Sequence, residues 1–201
     1  MIEIPTDLPA EIVPLSWLLG VWEGTGMLDY TTGDSVHFEG EFEQQVSFTH
    51  TGGPFVLYSA TATYETPLGT RAQLAAETGF WRLALPSSAA EVGPGLLPPT
   101  ESRAPRNAED IEKLRNARDG FDIEASIVRS DGVSELYVGQ VKGPRIDLAT
   151  DAVVRSAGAK DYSAATRMYG LVEEKLLWAW DIAAMGRSLS SHASAQLKKV
   201  Q

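Results

Sequence analysis

The chain contains no cysteine. That excludes disulfides, thiolate nucleophiles and thiolate ligation of a metal or haem, and it suits a reducing compartment. Histidine is scarce: His37, His50 and His192 are the only three, at spacings that match no compact metal motif. Basic residues are outnumbered, with 17 Lys and Arg against 27 Asp and Glu and a net charge of −10. A surface of that sign repels polyphosphates, so no nucleic-acid partner is expected. No apolar run approaches the roughly 20 residues of a membrane-spanning helix. The stretch from Met1 to Ala10 is acidic and proline-containing, without a basic region followed by an apolar one. Neither a signal peptide nor a membrane partner is expected, and the expected location is cytoplasmic. A GxSxG elbow, a Walker loop and a dinucleotide GxGxxG leading into a helix are also missing; Gly24-Thr25-Gly26 alone is too short a signal. Nothing brings Asp181 and Glu77 together as a catalytic carboxylate pair, and structural ion pairing is expected of both.

What is present points to β-structure. Hydrophobic residues make up 43% of the chain and five tryptophans are included, enough for a core with large rings. Alternating or β-rich runs predict strands near 21–30, 35–49, 54–65, 71–85, 120–130, 133–142, 144–155, 163–172, 175–185 and 188–199. Turn signals such as Gly52-Gly53, Asp131-Gly132, Gly143-Pro144 and Glu173-Glu174 separate them. Strands joined by short links pair antiparallel, and about ten of them leave exposed edges unless the sheet closes. The expected fold is therefore all-β: a closed antiparallel up-and-down barrel of about ten strands. A short helical turn around Leu15, Trp17, Leu18 and Leu19 would plug one end, near Trp22. The expected organisation is a single domain over 1–201, with a long proline-rich insertion at about 86–119.

Two strands show the patterning. In 36–44, Val36, Phe38, Gly40, Phe42 and Gln44 share one face, and His37, Glu39, Glu41 and Glu43 the other, a buried face and a wet one. In 176–182 both faces are mainly apolar, which suits a barrel interior on one side and a covering element or partner subunit on the other; a homodimer is one such arrangement. Within the insertion, Asn107–Arg118 reads as a short helix capped by Asn107, with Glu109 and Lys113 as an i,i+4 pair and Ile111 and Leu114 as its apolar residues.

Gly20-Val21-Trp22-Glu23-Gly24-Thr25-Gly26 puts Gly20, Trp22, Gly24 and Gly26 on one face of a strand, a large ring beside bare backbone. That is a strand at a tight corner, or part of a ligand site. Three further blocks follow in order: Phe48–Tyr58, Glu77–Arg82, and Met185–Leu197. Together the four resemble the nitrobindin family over most of 14–199, interrupted by the 86–119 segment. The resemblance implies a fatty-acid-binding-protein-like β-barrel that carries ferric haem b, one per subunit. It further implies that the protein binds nitric oxide and acts as a peroxynitrite isomerase, giving nitrate. His192 matches the family's iron-ligating histidine, and Lys160, in Ser156–Asp161, matches a lysine near the haem. His192 would then be the axial ligand, with Lys160 pairing with a propionate. A five-coordinate ferric haem needs no catalytic residue from the protein beyond His192, which suits a chain without an acid–base constellation.

The residues alone leave alternatives open. His192 sits among Ser190, Ser191, Ala193 and Ser194; a strand groups it with Ser190 and Ser194, a helix with Leu189, Ala193 and Leu197. His37 reads as a surface residue and His50 as a turn-stabilising hydrogen-bond partner. Lys160 reads equally as a solvated loop lysine. Arg82 and Arg167 are each a buried ion-pair member or a surface charge. Because Arg167 and Tyr169 share a strand face, a haem-free carrier gripping the carboxylate of a fatty acid or other apolar ligand is the rival reading. The proline-rich residues 87–106 are expected to be cut first in limited proteolysis, with the barrel surviving; a first cut inside a strand would contradict that expectation.

Overall fold

The computed structural model describes residues 8–31, 35–85 and 107–201. The expected cleavage segment, 87–106, lies outside them. The alternating runs become ten strands: β1 (Gly20–Thr31), β2 (His37–Thr49), β3 (Val56–Glu65), β4 (Arg71–Leu83), β5 (Phe121–Arg129), β6 (Val133–Lys142), β7 (Arg145–Arg155), β8 (Tyr162–Val172), β9 (Lys175–Ala184) and β10 (Ser190–Lys199). Each pairs antiparallel with its sequence neighbours, and β1 pairs with β10. The result is the expected closed up-and-down barrel, with every strand boundary within two residues of its expected place. Among the described residues no helix is long and apolar enough to cross a membrane.

The two ends differ. At one end a 3-10 helix, Ala10–Leu18, drives Ile12, Leu15 and Leu18 into the core, each fully buried. Trp22 lies directly above it and donates its Nε1–H to the Leu18 carbonyl at 2.7 Å. The helix α1 (Ala108–Glu112) packs at this closed end, where Ile111 shares a cleft with Val13, Pro14 and Trp17. It is shorter than the helix expected over 107–118. Asn107 caps it as expected, accepting from the Asp110 N–H at 3.0 Å. Beyond Lys113 the Asn116 side chain accepts from the N–H groups of Arg118 and Gly120 at 2.9 and 3.1 Å, a local turn that competes with further helix. Lys113 pairs with Asp110 at 3.0 Å rather than with Glu109.

The opposite end carries the hairpins β1–β2, β3–β4, β5–β6, β7–β8 and β9–β10. Among the described residues no helix covers this end, the mouth. Register irregularities at Ala62/Thr63, Leu136/Tyr137, Tyr162/Ala164 and Ser191/Ala193 all fall in this half. Such bulges bend strands and re-aim side chains at barrel rims.

Closure depends on how closely β1 approaches β10. A Cβ on Gly24 would stand 2.2 Å from the Gln196 carbonyl oxygen, and one on Gly26 would stand 2.3 Å from the Phe42 ring. The glycines of the GxWxGxG run are thus places where backbone meets backbone or ring. Gly24→Val should destabilise the barrel by about 1–3 kcal/mol, the usual range for overpacking, measured by urea unfolding. An unchanged midpoint would show that the contact relaxes freely.

Candidate functional site

The strand β10 holds His192 at the mouth, and neither simple periodicity describes it. Ser191 pairs with Asp181 and Ala193 with Trp180, so His192 is the extra residue of a bulge. The bulge breaks the alternation. Ser190 and Ser194 stay exposed, while His192 turns inward with buried Ala193, Ala195 and Leu197. The imidazole packs against Tyr30 of β1 and Trp180 of β9, with ring centroids 5.0 and 5.1 Å away. Its Nδ1 is shielded from solvent and has no hydrogen-bond partner. Burial lowers its pKa, and the charges of Arg129 and Lys160 lower it further, from 6.5 to about 4. His192 is therefore a neutral nitrogen donor at physiological pH.

The other sequence candidates separate. Lys160 is exposed in the β7–β8 turn, yet close enough for its charge to act on His192. His37 is solvent-facing, 3.8 Å from Asp29 and 3.9 Å from Glu39. His50 follows β2 at the closed end, remote from His192 in the topology, and its Nδ1 makes no hydrogen bond, contrary to the turn-stabilising role expected for it. Gly20 and Trp22 also belong to the closed end and do not reach His192. Arg82 is a surface charge paired with Glu124 at 2.9 Å. Asp181 accepts from the Thr166 hydroxyl at 3.3 Å, where an ion pair was expected.

Arg167 is the buried alternative, and its surroundings are the larger surprise. Its guanidinium forms a fork with Glu77, both bonds 2.8 Å, and its Nε donates to the Tyr137 hydroxyl at 3.0 Å. Tyr58 donates to Glu77 at 2.8 Å. Tyr137 donates to the fully buried Glu135 at 2.6 Å, and Tyr162 donates to the same carboxylate. Burial would raise the Glu77 pKa, but the adjoining Arg167 outweighs it and holds the carboxyl at about 2. With its fork engaged by Glu77, Arg167 has no free face for a fatty-acid carboxylate, so the rival reading loses its anchor.

Arg129 went unnoticed in the sequence. It ends β5 just before the Asp131-Gly132 turn signal, on the same face as the buried Phe121, Ile123, Ala125 and Ile127, and that alternation is the sequence signal that it points inward. Its side chain is 15% exposed, bonds Asp131 at 2.6 Å, and lies over the rings of Tyr162 and Trp180 at 5.2 and 4.7 Å. What the alternation does not give is the pair of rings it meets, which come from β8 and β9.

The mouth thus offers one neutral imidazole, aromatic walls and an apolar rim that includes Phe38, Met185 and Leu189, each 44–47% exposed. Among the described residues no group of three or more His, Cys, Asp or Glu side chains could hold a bare metal ion. A metal here must bring its remaining ligands with it, as iron does in a porphyrin. A flat apolar macrocycle that brings its own nitrogen donors would suit a single neutral imidazole among aromatic rings.

A closed antiparallel barrel with a ring-lined mouth defines a small-ligand-binding β-barrel protein. Residues 11–199 match the family model described as THAP4-like, heme-binding beta-barrel domain, and the chain belongs to that family. All four nitrobindin-like blocks lie inside the matched span. A protein from Leifsonia xyli subsp. xyli named peroxynitrite isomerase is 59% identical over 201 residues, covering 100% of both chains. One of the same name from Clavibacter michiganensis subsp. michiganensis is 56% identical over 200 residues, again covering 100% of both. The crystal structure of Rv2717c from M. tuberculosis superposes with a TM-score of 0.66 at 23% identity, covering 99% of this chain and 100% of that one, a likeness of fold.

In the haem-free protein the His192 ring should titrate near 4, followed by histidine-resolved NMR. Between 6.5 and 4 the unfolded chain takes up this proton and the folded chain does not. His192 therefore contributes stability that is fully present above 6.5 and lost as the pH falls towards 4. Arg129→Gln should move the titration upward. A wild-type value at or above 6.5 would contradict the burial argument.

Proposed function

We propose that this protein binds ferric haem b, one per subunit, through His192, binds nitric oxide, and isomerises peroxynitrite to nitrate. The observation that carries the reading is the neutral, partnerless imidazole at a ring-lined barrel mouth in a chain of a haem-binding family. The full-length relatives named peroxynitrite isomerase support the activity. Because Nδ1 is shielded, Nε2 is the nitrogen that would meet iron. When bound, the haem supplies a Lewis-acidic iron with an open coordination position, the chemistry that the isomerisation requires.

The chain's own residues do the rest. His192 presents its nitrogen unprotonated, so ligation displaces no proton at neutral pH. Tyr30, Phe38 and Trp180 bound the mouth and exclude water from the ring faces. Lys160, exposed at the rim, would pair with a propionate. The whole chain, 1–201, acts as one unit in the cytosol. It does so as a homodimer that sets the half-buried outer residues Leu177 and Ala179 of β9 against a second copy, which sedimentation would check.

Titration with hemin should give a histidine-type Soret spectrum. His192→Ala should abolish that spectrum and reduce peroxynitrite isomerisation to background, while circular dichroism still reports the barrel. Lys160→Ala should weaken hemin by less than about fivefold, since partly exposed charge pairs contribute little, and leave the spectrum intact. Wild-type protein that takes up no hemin, or His192→Ala that retains both spectrum and activity, would refute the reading.

A further inference from the structure

Metal-binding histidines are commonly oriented by a hydrogen bond from the second ring nitrogen. His192 has no such bond, since its Nδ1 is without a partner. Two rings do the orienting instead. Tyr30 meets the imidazole at an interplanar angle of 47°, and Trp180 meets it nearly perpendicular, at 87°. Perpendicular packing is a preferred geometry for aromatic pairs and restricts the rotation of both rings.

Trp180 has no hydrogen bond of its own either: its indole Nε1 is buried and unpartnered. Its neighbour on the same inner face, Trp178, is anchored differently, by an Nε1–H bond of 2.7 Å to Gln44. Besides the Tyr162 ring, 6.3 Å away between centroids, what holds Trp180 is a pair of guanidinium groups, Arg129 and Arg167, each with its central carbon 4.7 Å from the indole centroid. Arg167 is the cross-strand partner of Trp180 on β8, whereas Arg129 arrives from β5 across the barrel. Each cation is fixed elsewhere, Arg129 by Asp131 and Arg167 by Glu77 and Tyr137. The indole is therefore contacted through its π-system by two cations that are each anchored to another side chain.

We propose that Trp180 is a positioning residue that sets the orientation of the His192 imidazole by ring contact, with Arg129 and Arg167 holding Trp180 in place. The buried network around Arg167 thereby reaches the barrel mouth and governs how the imidazole is presented. The proposal rests on the reading of His192 as the iron ligand, but the ring geometry itself can be tested without haem.

The test uses the full chain with Trp180→Ala, Trp180→Phe and Arg129→Met, in two arms. In the haem-free arm, NMR follows nuclear Overhauser contacts between the His192 and Tyr30 rings. Trp180→Ala should weaken or lose these contacts, and Trp180→Phe, which keeps a ring, should retain them. In the hemin-loaded arm, transfer of hemin to apomyoglobin gives the dissociation rate. Trp180→Ala should raise it on the order of tenfold, the lower end of the range for losing an orienting partner, and should broaden the ferric electron paramagnetic resonance signal. Trp180→Phe should stay near wild type in both. If circular dichroism shows that Trp180→Ala does not fold, Arg129→Met decides, with smaller changes expected in the same direction.

Wild-type ring contacts and dissociation rate in a folded Trp180→Ala, or in Arg129→Met where that variant decides, would overturn the proposal. Should His192→Ala keep the haem spectrum, the haem reading falls, and the haem-free arm still decides whether Trp180 positions the ring.

Discussion

A positive charge enclosed by the barrel wall is the constraint on which much of this structure depends. Arg167 is 5% exposed, and an isolated ion at such a depth costs several kcal/mol. The barrel offsets that cost with a forked bond to Glu77 on β4, a bond to Tyr137 on β6, and proximity to Glu135. Tyr58 on β3 adds a second bond to the Glu77 Oε2 that accepts from Arg167, and Tyr162 at the start of β8 shares the Glu135 Oε1 with Tyr137. One guanidinium thus ties together strands that are distant in sequence. Removing one partner from such a buried set typically costs about 3–5 kcal/mol, so shifted registers that leave a carboxylate unpaired are strongly disfavoured. The Glu77 contribution is fully present above the ordinary carboxylate pKa of 4.5 and is lost as the pH falls towards 2.

This polar layer divides the interior. On one side lies the closed end, where Trp22, Leu15, Leu18 and Ile12 exclude water and one indole bond ties Trp22 to the helix. On the other lies the mouth, lined by Tyr30, Phe38, Trp180 and His192. Because the layer consumes its own charges, it presents no free cation to an anionic apolar ligand. It acts on the mouth through Trp180 and through the second cation, Arg129, whose charge helps to keep His192 neutral. A neutral nitrogen among rings is suited to iron in a macrocycle far better than to a carboxylate.

Much of this fold is legible in the sequence. The alternation Phe38/Phe42 against Glu39/Glu41/Glu43 marks an inner and an outer face, and short polar turns between such runs leave antiparallel closure as the economical solution. The ordered blocks from Gly20 to Leu197 pointed to a haem-binding barrel and to His192 and Lys160 as the residues to watch. The helix after Asn107 was overextended because helical propensity carries no information about the Asn116 turn that ends it. The rim and its inner partners were largely illegible. A bulge at His192 defeats both periodicities, and Arg129 gives no local sign that it lies over two rings.

The sequence by itself determined the closed barrel, its strand boundaries, the absence of thiol chemistry and the identity of the one histidine in the family pattern. The barrel and its boundaries follow from local rules, since residues two apart share a face and turns occur where glycine, proline, asparagine and aspartate interrupt the runs; the absence of thiols follows from composition, and His192 from the resemblance to the nitrobindin family. Only the tertiary structure decided which way His192 faces, that Arg167 is neutralised from within, and that Arg129 and Trp180 stand beside this imidazole. Those outcomes depend on contacts between strands far apart in the chain: Glu77 and Arg167 are 90 residues apart, and the register that joins them exists only once the barrel has closed.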